Sequence, residues 1–426
     1  MHHGKPGPLE QRSERLVKPI CRHCGSELKV TFCDLGMSPL ANSYLEASDL
    51  DKMECFYPLH AYVCSECFLV QLQVFEAPEA IFKDYAYFSS YSDSWVAHAK
   101  SYVDSMIERF GFDAASQVIE IASNDGYLLQ FFKEKGVAVL GIEPAANVAE
   151  FAEGKGIPTL VKFFNCDTAL SLAGERKQAD LLIGNNVLAH VPALNEFVRG
   201  LKIALKPRGI ITMEFPHLLR LMRDNQFDTI YHEHFSYLSL TTVERVFGEF
   251  GLKIFDVEQL PTHGGSLRIY ATHVDNDERP TTDAVLSLKD EEDDAGLRDL
   301  GTYEAFAARV KTTKRSLLRL LVNARDQGKT VVGYGAPAKG NTLLNYCGVR
   351  EDLVDYTVDR SPHKQDRFLP GVHIPIYDPE KIRETKPDYV LILPWNLKDE
   401  IMHQMSFVRD WGGKFVVPIP EAQILP

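Results

Sequence analysis

Three groups of residues in this sequence have the types and spacing to do chemistry. The first is Cys21-x-x-Cys24 together with Cys64-x-x-Cys67. Each knuckle offers two thiolates from one tight turn, and the pair completes the tetrahedral four-thiolate set of a structural Zn2+. The stretch between them, residues 25–63, exceeds the about 15–20 residues of a short zinc ribbon. It leaves room for a small subdomain. Four thiolates leave no open position, so this zinc is expected to hold structure rather than catalyse. Cys33 and Cys55 are alternative ligands, and read better as small buried apolar residues. Cys166 and Cys347 stand apart in the sequence.

The second group is Glu120-Ile-Ala-Ser-Asn124-Asp-Gly126 followed by Glu143. An acidic residue on a strand, a small polar loop with glycine and then a helix form a common cradle for a nucleoside, because the loop lets a ligand approach the backbone. The loop is not G-x-G-x-x-G, which disfavours a dinucleotide pyrophosphate. Glu143 ends the next strand, where a carboxylate can accept both hydroxyls of one ribose. A cofactor with one ribose and no phosphate fits, namely S-adenosylmethionine (SAM). Glu120, Asn124, Gly126, Glu143 and Asn185 are the expected cofactor-binding residues.

The third group is Tyr231-His232-Glu233-His234, with Tyr237 close behind. The spacing H-E-H cannot place two zinc ligands one helical turn apart, as H-E-x-x-H does. A base and a tuning carboxylate is the better reading: one histidine takes a proton and a neighbouring glutamate orients it. His190, just past another strand end, is a second candidate.

The elements that must position these groups follow from pattern. QVIEI, AVLGI, ADLLIGNN (179–186) and GIITMEFP (209–216) are buried strands alternating with helices, and 252–260 with 266–274 make a closing antiparallel pair. A helix is predicted over roughly 95–111 with Trp95, Val96, Ala99, Tyr102, Val103, Met106 and Phe110 on one face. An acidic stretch, 276–300, reads as a linker. A helix at 302–327 follows, and the strand–helix rhythm then resumes. The fold class is therefore α/β: a Cys-rich head (11–80), a doubly wound core (81–275), the linker and a second, smaller Rossmann-like unit (301–426).

Composition bounds the rest. The chain has 426 residues, 45% hydrophobic and 25% charged, with a net charge of −13. That balance argues against nucleic acid as a partner. No apolar run reaches the about 18–20 residues that span a bilayer. The opening MHHGKPGPLE reads as an expression scar, and without a secretory signal the expected location is the cytoplasm, where clustered thiols bind metal.

The motifs taken together resemble a known family. The paired knuckles, SSYSDSW, SNDGYLL, GIEPA, NNVLAHV, YHEHFSY, HGGSLR and GYGAPAKGNTLLN occur in order over nearly the whole chain. They are similar to the SAM-dependent sugar C-methyltransferases of deoxysugar and nitrosugar biosynthesis, most of all those acting at C-3 of TDP-linked 3-amino-4-keto-trideoxy sugars of the kijanose and tetronitrose type. The resemblance implies a zinc head, a class I methyltransferase core and a C-terminal Rossmann-like domain that helps bind the nucleotide sugar. It implies His234 as the base, Tyr231 and Glu233 beside it, Tyr85 and His190 lining the sugar, and Lys339 and Asn341 at the diphosphate. The implied chemistry is removal of the C-3 proton beside a 4-ketone and attack of the enolate on the SAM methyl. Tyr231 or His190 would steady the oxyanion, and Glu233 would stabilise the charged imidazole. The family pattern has Lys-Gln-Gly where this chain has Lys364-Gln365-Asp366. Methylation at C-5 or of a 3-hydroxy sugar, an NAD(P)-dependent oxidoreductase using the Gly333-x-Gly335 crevice that ends at Asp359, and a zinc-dependent binding scaffold are the rival readings.

Overall fold

The computed structural model describes residues 18–77, 89–91 and 93–426. Tyr85 lies outside the described residues. The head carries strands β1 (Val30–Ser38), β2 (Tyr57–Val63) and β3 (Val70–Leu72). The core carries β4 (Gln117–Ile121), β5 (Ala138–Ile142), β6 (Thr159–Leu160), β7 (Ala179–Asn185), β8 (Leu205–Pro216), β9 (Ser236–Tyr237), β10 (Leu252–Leu260) and β11 (Ser266–His273).

Seven of the core strands form one sheet in the order β10-β11-β8-β7-β4-β5-β6. Strands β6 to β8 are parallel, and β11 enters antiparallel to β8 and β10. The centre is apolar on both faces, as a sheet sandwiched by helices must be: Leu181, Leu182 and Ile183 of β7 are fully buried. The helix Asp93–Phe110 covers one face with Ala99, Tyr102, Val103 and Met106, as the helical spacing predicts.

Strand β9 leaves the core and joins the head, whose sheet runs β1-β2-β3-β9. The head therefore docks on the chain segment that follows the Tyr231–His234 cluster.

The C-terminal unit has β12 (Val331–Tyr334), β13 (Thr357–Val358), β14 (Ile376–Tyr377), β15 (Tyr389–Ile392), β16 (Lys414–Val417) and β17 (Gln423–Leu425), ordered β14-β13-β12-β15-β16-β17. All neighbours are parallel except the last pair. The helix Leu300–Asp326 buries Tyr303, Phe306, Val310, Leu317 and Leu321 on one stripe. That stripe packs against the head, where Phe32 of β1 stacks on Phe306 at 4.6 Å with rings 3° apart. One apolar cluster thus runs through the head, this helix and the C-terminal sheet.

The acidic stretch read as a linker folds instead. It contains the helix Asp283–Asp294, which buries Val285, Leu288 and Glu292. Glu292 is buried because it is fully used: it accepts from the His217 ring at 2.7 Å and from the backbone N–H groups of Leu240 and Thr241 at 2.7 and 2.8 Å. Acidic composition marked a solvated tether, but only one face of this helix is solvated. The Lys364-Gln365-Asp366 turn has Asp366 at φ +61°, a conformation glycine adopts freely and aspartate tolerates. No helix among the described residues is long and apolar enough to cross a membrane.

Candidate active site

The four expected metal-binding cysteines converge. The sulfurs of Cys21, Cys24, Cys64 and Cys67 lie within 4.8 Å of one another. Cys21 and Cys67 are 3.5 Å apart, and Cys24 and Cys64 3.4 Å. Four thiolates at that range repel without a cation. Contact with Cys64 and Cys67 holds the Cys21 thiol far down, and contact with Cys21 drives Cys67 far up. Gln71 donates its amide to Cys21 Sγ at 3.2 Å, and Glu66 N–H donates to Cys64 Sγ at 3.4 Å. Such N–H···S bonds orient a metal thiolate, and this donor set holds Zn2+. Cys33 is buried and burial pushes its thiol up to about 12, as expected of an apolar cysteine. Cys55 is exposed, which corrects its reading as a buried residue.

The proposed cofactor residues meet at the carboxyl ends of β4, β5 and β7. The loop after β4 turns sharply, with Ala122, Asn124 and Gly126 all at positive φ. At Gly126 a Cβ would come within 3.0 Å of Ile157, so position 126 admits no side chain without a shift. Asn124 N–H donates to one oxygen of Glu143 at 3.0 Å, and Ala145 N–H to the other at 2.9 Å. The carboxylate is thus fixed by backbone, with a lone pair on each oxygen left for a diol. Burial raises its pKa, and it raises that of Glu120 well above the ordinary value. Among the described residues, Ser123 Oγ, Asn185 Oδ1 and Asn186 Oδ1 are buried without a hydrogen-bond partner. A crevice so rich in unsatisfied acceptors fits a polar ligand with an amine and hydroxyls, and the residues present fit SAM. Ser89 N–H donates to Asn124 Oδ1 at 2.8 Å, so the helix approach folds down on the loop.

The reactive cluster is tighter than its sequence spacing shows. His234 Nδ1 lies 3.0 Å from the carbonyl oxygen of Thr229, and Nε2 lies 2.8 Å from the Tyr231 hydroxyl. A carbonyl only accepts, so Nδ1 carries the hydrogen and Nε2 offers a lone pair to the Tyr231 O–H. Burial, with the nearby His190 charge, holds His234 well below its ordinary pKa. The His190 ring stands 4.7 Å away at 76°, itself pushed down to about 4 by burial.

Glu233 does not serve the imidazole as expected. No contact joins its carboxylate to His234 among the described residues. It accepts instead from Asn42 of the head at 2.6 Å. Burial raises it to about 7, against the pull of Asn42. Glu233 lies in the tight turn closed by His234 N–H donating to the Tyr231 carbonyl at 2.9 Å, and its side chain reaches the head rather than its neighbour.

The C-terminal residues divide. Lys339 faces the crevice: its Nζ donates to Asn396 Oδ1 at 2.7 Å and lies 4.8 Å from the Trp395 ring. Burial lowers its pKa, opposed by the buried carboxylate of Asp228. Asn341 is fully buried, and its Oδ1 accepts from Asn345 at 3.1 Å. Its Nδ2 is buried without a hydrogen-bond partner among the described residues. Asp359, at the end of the crevice read as a rival nicotinamide site, accepts from Ala336 N–H at 2.7 Å and Ser361 N–H at 2.9 Å. Arg268 of HGGSLR pairs with Glu214 at 2.7 Å and Glu258 at 2.9 Å inside the sheet. Asn42, the Thr229 carbonyl, Asp228 and Trp395 belong to the site or its border and were not read from sequence.

Comparison with known proteins gives the family. A methyltransferase domain model matches residues 95–257, a C-methyltransferase C-terminal domain model 261–420 and a zinc binding domain model 21–82. The C-methyltransferase NovU of Streptomyces niveus is 36% identical over 414 residues, covering 96% of this chain and 98% of that protein. Among solved structures, a SAM-dependent methyltransferase from Anabaena variabilis covers 42% of this chain and 86% of its own, at 15% identity and a TM-score of 0.35. One from Archaeoglobus fulgidus covers 40% and 93%, at 16% and 0.33. With its thiolate head, its SAM crevice and a near full-length relative, the chain belongs to the family of SAM-dependent C-methyltransferases.

Proposed function

We propose that the chain methylates C-3 of a TDP-linked 3-amino-4-keto-2,3,6-trideoxyhexose. The observation that carries this is the His234 imidazole, held as the Nδ1–H tautomer by the Thr229 carbonyl, with its Nε2 lone pair beside Tyr231. Carbon becomes a nucleophile only when deprotonated, and a C–H next to a ketone is acidified because its anion delocalises onto oxygen. His234 Nε2 takes that proton. The Tyr231 hydroxyl, released from Nε2, or His190 then donates to the C-4 oxyanion. SAM, when bound, supplies an electrophilic methyl group. Glu233, its pKa raised by burial, hydrogen-bonds the sugar on the side held by Asn42.

The substrate's negative charge favours the imidazolium by Coulomb attraction and offsets the burial that depresses it. The sugar nucleotide lies between the head (11–80), the core (81–275) and the C-terminal unit (301–426), with Tyr85 lining the sugar pocket and Lys339 and Asn341 at the diphosphate. The enzyme's expected location is the cytoplasm. The test is mass spectrometry of TDP-4-keto sugars with SAM and enzyme. A gain of one methyl on a 3-amino sugar supports the reading; a gain only on 3-hydroxy sugars, or at C-5, replaces the substrate. No gain on any of them ends the proposal.

A further inference from the structure

The zinc centre and the proposed base are joined by a short chain of hydrogen bonds. Gln71 is almost fully buried. Its amide donates to Cys21 Sγ at 3.2 Å, and its carbonyl accepts from Arg22 N–H at 2.9 Å and from Arg22 Nε at 3.4 Å. Arg22, in the first knuckle, donates through Nη2 to the Leu72 carbonyl, and its guanidinium lies 5.5 Å from the Phe235 ring centre. Leu72 N–H donates in turn to the Phe235 carbonyl at 3.0 Å. Here β3 pairs with β9, Val70 opposite Tyr237 and Gln71 opposite Ser236.

Phe235 is the residue after His234, and its peptide is gripped from both sides. Its carbonyl is held by the head, and its N–H donates to the Ala189 carbonyl at 2.8 Å, one residue before His190. The peptide is therefore the spacer that fixes His234 against His190. A two-residue strand has too few ladder bonds to hold its own place, so its position is set by what grips it. Metal thiolates are oriented by such donors, and the coupling runs both ways.

We infer that Arg22 and Gln71 are positioning residues, transmitting the geometry of the four-thiolate centre through the Phe235 peptide to His234 and His190. The inference rests on the proposed role of His234. The head then does more than stabilise the fold. It sets the register of the catalytic loop while leaving the SAM crevice, whose contacts lie within the core, alone.

The test uses the full-length, zinc-loaded chain with Arg22→Met, Gln71→Leu and the conservative Arg22→Lys. Zinc content, SAM affinity, amide hydrogen exchange and steady-state kinetics are measured for each. At retained zinc, exchange over residues 230–237 should quicken about tenfold or more while residues 117–126 stay protected. With the sugar substrate kcat should fall about tenfold or more, while KM and SAM affinity stay within about twofold. Arg22→Lys should recover part of the loss, since lysine still reaches the Leu72 carbonyl. Chelating zinc from the parent should give the same exchange pattern. Unchanged exchange at 230–237, or SAM affinity falling in step with kcat, overturns the inference. The exchange arm needs no substrate, so a wrong substrate assignment leaves it decisive.

Discussion

The two halves of the catalytic crevice are built in opposite ways. The cofactor half comes from one stretch of the core: Glu143 is fixed by the N–H groups of Asn124 and Ala145, all within one β-loop-β unit. The base half is assembled from distant parts. Asn42 of the head holds Glu233, the Thr229 carbonyl fixes His234, and Lys339 arrives from the C-terminal unit with Asn396 and Trp395. A ribose is common to every substrate of such an enzyme, and a local backbone cradle suffices for it. A proton transfer needs an imidazole of one tautomer at one place, and here three parts of the chain converge on it. The halves should therefore fail separately.

His234→Asn should cut kcat by about 10²–10⁴-fold, the usual worth of a general base. SAM affinity measured by calorimetry should not move. Glu143→Ala should do the reverse, weakening SAM roughly 10–100-fold through two lost charge-assisted hydrogen bonds. The ring signals of His234 and His190 in the NMR spectrum of the free protein should stay where they were. Loss of SAM binding in the first variant, or displaced imidazole signals in the second, would join the two halves into one unit.

The pH dependence of stability separates them further. Burial raises Glu233 from an ordinary 4.5 to about 7, so the folded chain binds that proton more tightly than the unfolded chain. The associated stability is complete below pH 4.5 and is lost as pH rises through 7. Urea unfolding of Glu233→Gln should therefore lack this decline. Relative to the parent it should gain about 2 kcal/mol between pH 5 and pH 8. An identical pH slope in both would place the carboxyl in water. The smallest change belongs to Tyr231→Phe. Removing the donor to Nε2 takes away a bond that favours the neutral ring, so the His234 pKa should rise. An unmoved titration curve in NMR would mean that the Tyr231 bond is absent in solution.

The same contrast explains what could be read from residues alone. The knuckles, the Asn124–Gly126 loop, Glu143 and the alternating strands are local patterns, and each carries its own geometry. The head's use of β9, the Asn42–Glu233 bond and the buried Glu292 depend on contacts between residues far apart in sequence, which no spacing encodes. Asn341 and Glu233 were placed in roles by neighbourhood in sequence. Asn341 is buried by the helix it sits on, and Glu233, in the Tyr231–His234 turn, reaches Asn42 of the head. Cys55 shows the same lesson at small scale, since a cysteine without a partner carries no mark of its exposure.

The central claim is that Nε2 of His234 removes a proton from carbon beside a ketone. Solvent exchange reads this step without methyl transfer: the TDP-linked 4-keto sugar is incubated with enzyme in D2O in the absence of SAM, and deuterium at C-3 is followed by NMR. The account predicts incorporation of one deuterium by the parent and none above background by His234→Asn. Exchange by His234→Asn at the parent's rate would contradict it.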